Sequence, residues 1–219
     1  MNSRRFDLLV FDWDGTLMDS AAAITASLRA ACRDLDLAVP SEEQARYVIG
    51  LGLHDAMSHI LPGLDAALYP RVVERYRVHY LRLDAGTALF PGAAETIAAL
   101  RDSGFLLAVA TGKSRRGLDR ALSATGLERY FHATRCADEG PSKPHPGMLQ
   151  GLMEGLGVEN ERTLMIGDTT HDMEMARAAG VPRLGVAYGA HAREALLGCE
   201  PLACVDDFES LRQWLLAHA

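Results

Sequence analysis

The sequence predicts an α/β fold, a doubly wound parallel-sheet core interrupted once by an all-helical insertion. Three observations predict it. Short, almost wholly apolar runs recur, each followed by a stretch of helical character, which is how strands buried on both faces of a parallel sheet read. Glycine and proline punctuate the helical stretches where helices start and stop. About 70 residues separate the first strand from the next core helix, whereas a crossover needs about a dozen.

The elements follow in chain order. Leu8 to Phe11 is the first strand. Ser20, with Asp19 beside it, opens a helix over Ala21 to Leu35; Ser41-Glu42-Glu43-Gln44 forms a capping box; Asp65 caps a long helix running to about Leu83. Pro91-Gly92 then precedes a helix over Ala93 to Leu100 that Gly104 ends, and Gly126, Gly157 and Gly180 stop later helices in the same way. Leu106 to Ala110, Leu164 to Ile166 and Leu184 to Ala187 read as further strands, with weaker candidates at Phe131 to Arg135 and Ala203 to Val205. The predicted core is residues 1–17 and 86–219, and the predicted insertion is residues 18–85.

Composition narrows the function. The chain has 219 residues, 48% hydrophobic and 23% charged, with a net charge of -7. It carries no basic footprint for nucleic acid, and an anionic lipid surface would repel it. No apolar run approaches a membrane span, the apolar start is too short for a signal-peptide core, and the expected compartment is the cytoplasm. Cys32, Cys136, Cys199 and Cys204 are scattered as reduced thiols are.

The chemistry concentrates at strand ends. In Phe11-Asp12-Trp13-Asp14-Gly15-Thr16 two acids stand two residues apart, so their carboxylates point the same way just beyond the sheet. A second cluster, Gly167-Asp168-Thr169-Thr170-His171-Asp172, leaves the same edge. Four converging carboxylates repel one another unless a cation neutralises them, and an all-oxygen ligand set with room for water and phosphate suits Mg²⁺. Complementary charge comes from Thr111-Gly112-Lys113, a hydroxyl and backbone N–H groups near a helix start, and from Lys143 in Ser142-Lys143-Pro144-His145-Pro146, ahead of the helix over Gly147 to Leu156.

These four signatures, in this order, resemble the haloacid dehalogenase superfamily, and in Phe11 to Ser20, Thr111 to Lys113 and Gly167 to Gly180 its phosphoglycolate phosphatase-like branch. The resemblance implies a Rossmann-like core with a helical cap, and a phosphatase acting on a small phosphorylated metabolite as a monomer or homodimer. It further implies that Asp12 is the nucleophile and Asp14 the general acid and base. Asp12, the Asp14 carbonyl and Asp168 would hold Mg²⁺ with help from Asp172, while Thr111, Gly112 and Lys143 would grip the phosphoryl group. The branch suggests 2-phosphoglycolate as substrate. It usually has Leu where Trp13 stands, which would bound the site, and Asn where Gly112 stands.

Several residues keep two readings. Gly50, Gly52 and His54 lie in a glycine-broken loop of the insertion that either dips toward substrate or is a plain turn. Lys113 either steadies the acids and substrate or is a solvated lysine. Arg46 and Arg75 are candidates for a second anion, and His145 and His171 for substrate contact. Thr169 and Thr170 read as helix-start residues. Rival functions are a sugar-phosphate phosphotransferase and a catalytically idle binding protein on the same scaffold; the intact acids, and Thr16 where the mutases tend to carry Val, weigh toward the phosphatase.

Overall fold

The computed structural model describes residues 4–84 and 86–219. Residues 1–3 of the predicted core and residue 85 of the predicted insertion lie outside these. Six parallel strands, β1 (Leu8–Phe11), β2 (Leu106–Thr111), β3 (Ala133–Cys136), β4 (Thr163–Gly167), β5 (Arg183–Val186) and β6 (Cys204–Val205), form one sheet in the order β3-β2-β1-β4-β5-β6. The chain winds outward from β1 in both directions, which places the topological switch point beside it. The expected third strand is shifted: Phe131 and His132 precede β3, and Phe131 packs on the core instead.

Alternation along β1 sorts its side chains between two layers. Leu9, Phe11 and Trp13 pack with Ile97 of α5 (Ala93–Asp102), Leu118 of α6 (Arg115–Thr125) and Leu211 of α10 (Phe208–His218). Leu8 and Val10 pack with Leu149 of α7 (Gly147–Leu156) and Met175 of α8 (Thr170–Ala178) on the other face. Trp13 is fully buried, edge-on to Phe131 at 6.5 Å. It therefore belongs to the core and does not bound the site, because it takes the face opposite to Asp12 and Asp14.

The insertion supplies α1 (Ala21–Asp34), α2 (Glu42–Tyr47), α3 (Leu53–Ile60) and α4 (Tyr69–Asp84), around a separate cluster that includes Ile24, Leu28, Met57 and Val72. The Ser41–Gln44 capping box opens α2 as expected. Asp65 instead caps a turn through Ala67 N–H, and α4 starts four residues later. The two connections lie side by side: Asp19 N–H donates to the Ala88 carbonyl and Phe90 N–H to the Leu17 carbonyl, both at 2.9 Å. Of the remaining segments, α9 (Arg193–Leu197) leads to β6, all four cysteines are free thiols, and among the described residues no helix is long and apolar enough to cross a membrane.

Candidate active site

The carboxyl ends of β1 and β4 bring the acids together. Asp12 follows β1 directly, and its N–H continues the sheet by donating to the Ile166 carbonyl at 2.9 Å. Asp168 follows β4, and Asp172 lies in the first turn of α8. Single oxygens of Asp12, Asp168 and Asp172 all fall within 4.8 Å of one another, and all three residues are buried. Gly15 and Gly189 hold the cluster tight: a Cβ on Gly15, whose φ is +80°, would stand 2.1 Å from Asp168 Oδ2, and one on Gly189 would stand 2.3 Å from the same atom.

Against these three carboxylates stands one buried ammonium. Lys143 Nζ lies 2.7 Å from Asp12 Oδ1 and 2.6 Å from Asp172 Oδ1. Burial opposes the charge on Lys143, but the Asp12 and Asp172 carboxylates outweigh it and hold the ammonium above its ordinary pKa. Burial drives the Asp12 carboxyl well above the usual carboxylate range despite the pull of Lys143. Asp168 is pushed up to about 7, by burial first and by the Asp172 charge second. Asp12 Oδ2 is buried with no hydrogen-bond partner among the described residues. Like charges about 4 Å apart repel by about 4 kcal/mol at an effective dielectric of 20. An excess of buried carboxylate together with an unpartnered oxygen is the chemistry of a hard-cation site, so the donors present fit Mg²⁺.

The surrounding hydrogen bonds orient each acid. Thr16 Oγ1 donates to Asp168 Oδ1 (2.9 Å) and the Ala190 N–H to Asp168 Oδ2 (2.7 Å). Asp172 has two tasks: its Oδ2 accepts from the Thr169 N–H and Oγ1, closing a capping box on α8, while its Oδ1 faces Lys143. Thr169 and Thr170 are thus helix-start residues. Thr111 ends β2 fully buried, and its Oγ1 accepts the Lys113 N–H at 3.2 Å.

Asp14 stands apart from the three-acid cluster. Its Oδ1 accepts from Ser20 Oγ at 2.6 Å and lies 3.0 Å from Lys113 Nζ. Lys113 Nζ also donates to the Tyr80 hydroxyl of α4 at 2.8 Å. Burial, then the Asp14 charge, raises the Tyr80 phenol above its ordinary pKa. Ser20, expected to cap α1, makes no side-chain cap bond, because its hydroxyl is committed to Asp14. Asp19 at the same helix start is exposed.

The insertion covers the strand ends through backbone contacts. A Cβ on Gly112 would stand 2.5 Å from both the Gly50 and the Leu51 carbonyl oxygens; Gly50 abuts Thr169, and Gly52 N–H donates to Ser142 Oγ at 2.7 Å. Gly50 and Gly52 therefore meet the loops that carry Gly112, Thr169 and Lys143. His54 does not: its side chain is 75% exposed and its ring lies against Tyr69.

The other candidates for anion or substrate contact are occupied elsewhere. Arg46 donates to the carbonyls of Ala190 (3.2 Å) and Gly189 (2.7 Å), and Arg75 pairs with Asp34. His171 and His191 both point Nε2 at the Tyr47 carbonyl, at 2.8 and 3.0 Å, and burial lowers both imidazoles, His191 to about 4. Each is a neutral N–H donor joining core to insertion. His145 is exposed and accepts the Gly147 N–H at the start of α7.

Sequence reasoning missed Ser20 and Tyr80 as partners of the Asp14 network, and Thr16 and Ala190 as supports of Asp168. Thr16 alone carried a signal, as the last residue of the Asp-x-Asp-Gly-Thr motif.

A six-stranded parallel Rossmann-like sheet with acids at its central switch point and a helical insertion over them defines a hydrolase of one family. The chain belongs to the haloacid dehalogenase-like hydrolases, whose family model matches residues 9–186. Within it the protein is a phosphatase of the phosphoglycolate phosphatase-like kind. It is 37% identical to the probable phosphatase IndB of Dickeya dadantii, over 93% of this chain and 91% of that one. It is 32% identical to the phosphoglycolate phosphatase of Agrobacterium fabrum, over 93% and 90%. A crystal structure of a predicted phosphoglycolate phosphatase from Haemophilus somnus 129PT superposes with a TM-score of 0.86 at 26% identity, covering 97% of this chain and 99% of that one.

Proposed function

We propose that this phosphatase hydrolyses a small phosphate monoester with Mg²⁺ bound, through a phosphoryl group carried on Asp12. The observation that supports it is the buried Asp12, with one oxygen on Lys143 and the other unpartnered, at the centre of an acid cluster that one ammonium does not neutralise.

Asp12 attacks phosphorus in line, its carboxylate oxygen forming the new P–O bond as the ester P–O bond breaks. Asp14 gives its proton to the departing oxygen, which leaves as an alcohol. The Asp14 carboxylate then takes a proton from water as that water attacks phosphorus. The Asp12–phosphoryl bond breaks, releasing phosphate and restoring both acids. Lys143, Thr111 and the N–H groups beside Gly112 bind the phosphoryl oxygens, where charge is concentrated in the transition state. Asp12, Asp168 and the Asp14 carbonyl would hold Mg²⁺, with Asp172 supporting through Lys143 and the Thr169 cap. When bound, the ion supplies charge neutralisation for these acids and for the phosphoryl group.

The relatives' names make 2-phosphoglycolate the first compound to try. The test is phosphate release from a panel of small phosphate esters, 2-phosphoglycolate included, with Mg²⁺ and with chelator. Turnover that needs Mg²⁺ and vanishes in Asp12→Asn is expected. Turnover that survives chelation, or an Asp12→Asn enzyme as active as wild type, refutes the reading. Conversion of a sugar phosphate to its isomer without phosphate release would place the protein among the phosphotransferases instead.

A further inference from the structure

We infer that Tyr80, a residue of the cap, is a positioning residue for the proton-transfer step: through Lys113 it fixes the orientation of Asp14 when the cap is closed. The inference rests on the role proposed above for Asp14.

The geometry is a chain of three side chains from three parts of the molecule. Tyr80 sits on α4 of the insertion, Lys113 on the loop between β2 and α6, and Asp14 just past β1. The Tyr80 hydroxyl accepts from Lys113 Nζ at 2.8 Å, and Nζ lies 3.0 Å from Asp14 Oδ1. Tyr80 is itself held, buried and stacked on Tyr76 with ring centroids 5.7 Å apart and planes 22° from parallel. The Lys113 ammonium also lies 4.8 Å from the Tyr80 ring centroid.

The torsion that turns a carboxylate is broad and soft. Asp14 is turned by two donors on one oxygen: Ser20 Oγ and Lys113 Nζ both address Oδ1, and Oδ2 takes no protein donor among the described residues. Oδ2 is thus the oxygen left to carry the proton and hand it to the departing ester oxygen. Ser20 holds Asp14 from the start of α1 and is short. Lys113 reaches it on a long, flexible stem that loses rotamer freedom when it is held in one place. The Tyr80 hydroxyl is a neutral partner that keeps that stem in place, and it reaches Lys113 only while α4 lies over the strand ends. Two neighbouring contacts hold α4 and the loop there: Arg120 of α6 pairs with Asp84 at 2.9 Å, and the Gly50 and Leu51 carbonyls crowd Gly112.

The test reads the acid step separately from phosphorus attack. Single-turnover phosphoryl transfer with Mg²⁺ is measured for wild type, Tyr80→Phe, Lys113→Met and the double variant, on aryl phosphates ranging from 4-nitrophenyl to phenyl. 4-Nitrophenolate departs with little help from an acid, whereas phenolate needs it. Tyr80→Phe keeps the ring and its stacking and removes one oxygen. The expected loss is about 10- to 30-fold on phenyl phosphate and at least about fivefold smaller on 4-nitrophenyl phosphate, on the scale of the rate lost to a small misplacement of a catalytic group. In the Lys113→Met background, Tyr80→Phe should add less than about a twofold further loss, because both act on one bond.

Equal losses on both esters, no loss on either, or full additivity in the double variant overturns the inference. If Tyr80→Phe does not fold, Lys113→Met alone must still steepen the leaving-group dependence, and failure to do so is equally fatal. A wild-type enzyme with no Mg²⁺-dependent release from 4-nitrophenyl phosphate overturns the proposed function itself. An active wild type that loses activity in Asp12→Asn but shows a flat Tyr80→Phe profile overturns only the part assigned to Tyr80.

Discussion

Replacing Gly112 by alanine tests how closely the loop of the insertion seals the end of β2. The backbone there is not in the left-handed region, so alanine meets no torsional strain; what it meets is space already taken. Its Cβ would lie 2.5 Å from two carbonyl oxygens and 2.8 Å from the Gly50 carbonyl carbon, about 0.9 Å inside the 3.4 Å at which ordinary contact begins. All three atoms are backbone, so no flexible side chain can yield and the 50–52 loop must move by nearly an ångström. Overpacking of this kind costs about 1–3 kcal/mol, and a 1 Å displacement beside the chemistry costs up to about 100-fold in rate. Steady-state kinetics on 4-nitrophenyl phosphate with Mg²⁺ should therefore show kcat/KM of Gly112→Ala down by about 10- to 100-fold. Gly126→Ala supplies the contrast: Gly126 caps α6 at φ +69° with nothing near its Cβ position, so the change should cost stability and leave kinetics alone. A Gly112→Ala enzyme with wild-type kcat/KM and wild-type thermal midpoint would refute the argument that the loop is seated on Gly112.

Three further outcomes follow from the same geometry. Lys143→Met strips the Asp12–Asp172 pair of the ammonium that lies between them; in chelator the unfolding free energy read from urea melts should fall by about 3 kcal/mol, with added Mg²⁺ restoring part of it, and an unchanged midpoint would argue against the pairing. Ser20→Ala removes the 2.6 Å bond to Asp14 and no cap bond, so kcat should drop by about tenfold while stability changes by less than the roughly 1 kcal/mol that a true N-cap loss costs; the reverse pattern would make Ser20 a cap after all. The His79 and Arg75 hydrogen bonds hold the Asp34 carboxyl below its ordinary value, so its contribution is present above the unfolded-state pKa and fades as pH falls through the folded one; denaturation of Asp34→Asn and wild type should therefore differ at pH 7 and converge in strong acid, and a gap that stays constant would contradict this.

Much of the fold was legible because it is written in short-range patterns. Apolar runs bounded by glycine and proline mark strands and helices wherever both faces of the strand are buried, as in β1 and β4, where every residue is. The half-exposed β3 was misplaced for the same reason, since its pattern is weak. The gathering of Asp12, Asp168 and Asp172 was legible through position and order, because both acidic segments follow strands that a parallel sheet must end on one edge; that Asp14 turns away to Ser20 and Lys113 was not.

What tertiary structure alone decided is the partner of each polar group, because a donor or acceptor is satisfied by whatever lies nearest in space, not in sequence. Ser20 was read as a cap and serves Asp14. Arg46 and Arg75, cationic and in the cap, are taken by carbonyls and by Asp34. Tyr80 lies unmarked within the long predicted helix, and it partners Lys113 only because α4 lies over that loop. The strand-end acids fall where local pattern places them, but the way the cap closes on them depends on contacts such as Gly112 against Gly50, between segments about 60 residues apart in the chain, which short-range periodicity does not encode.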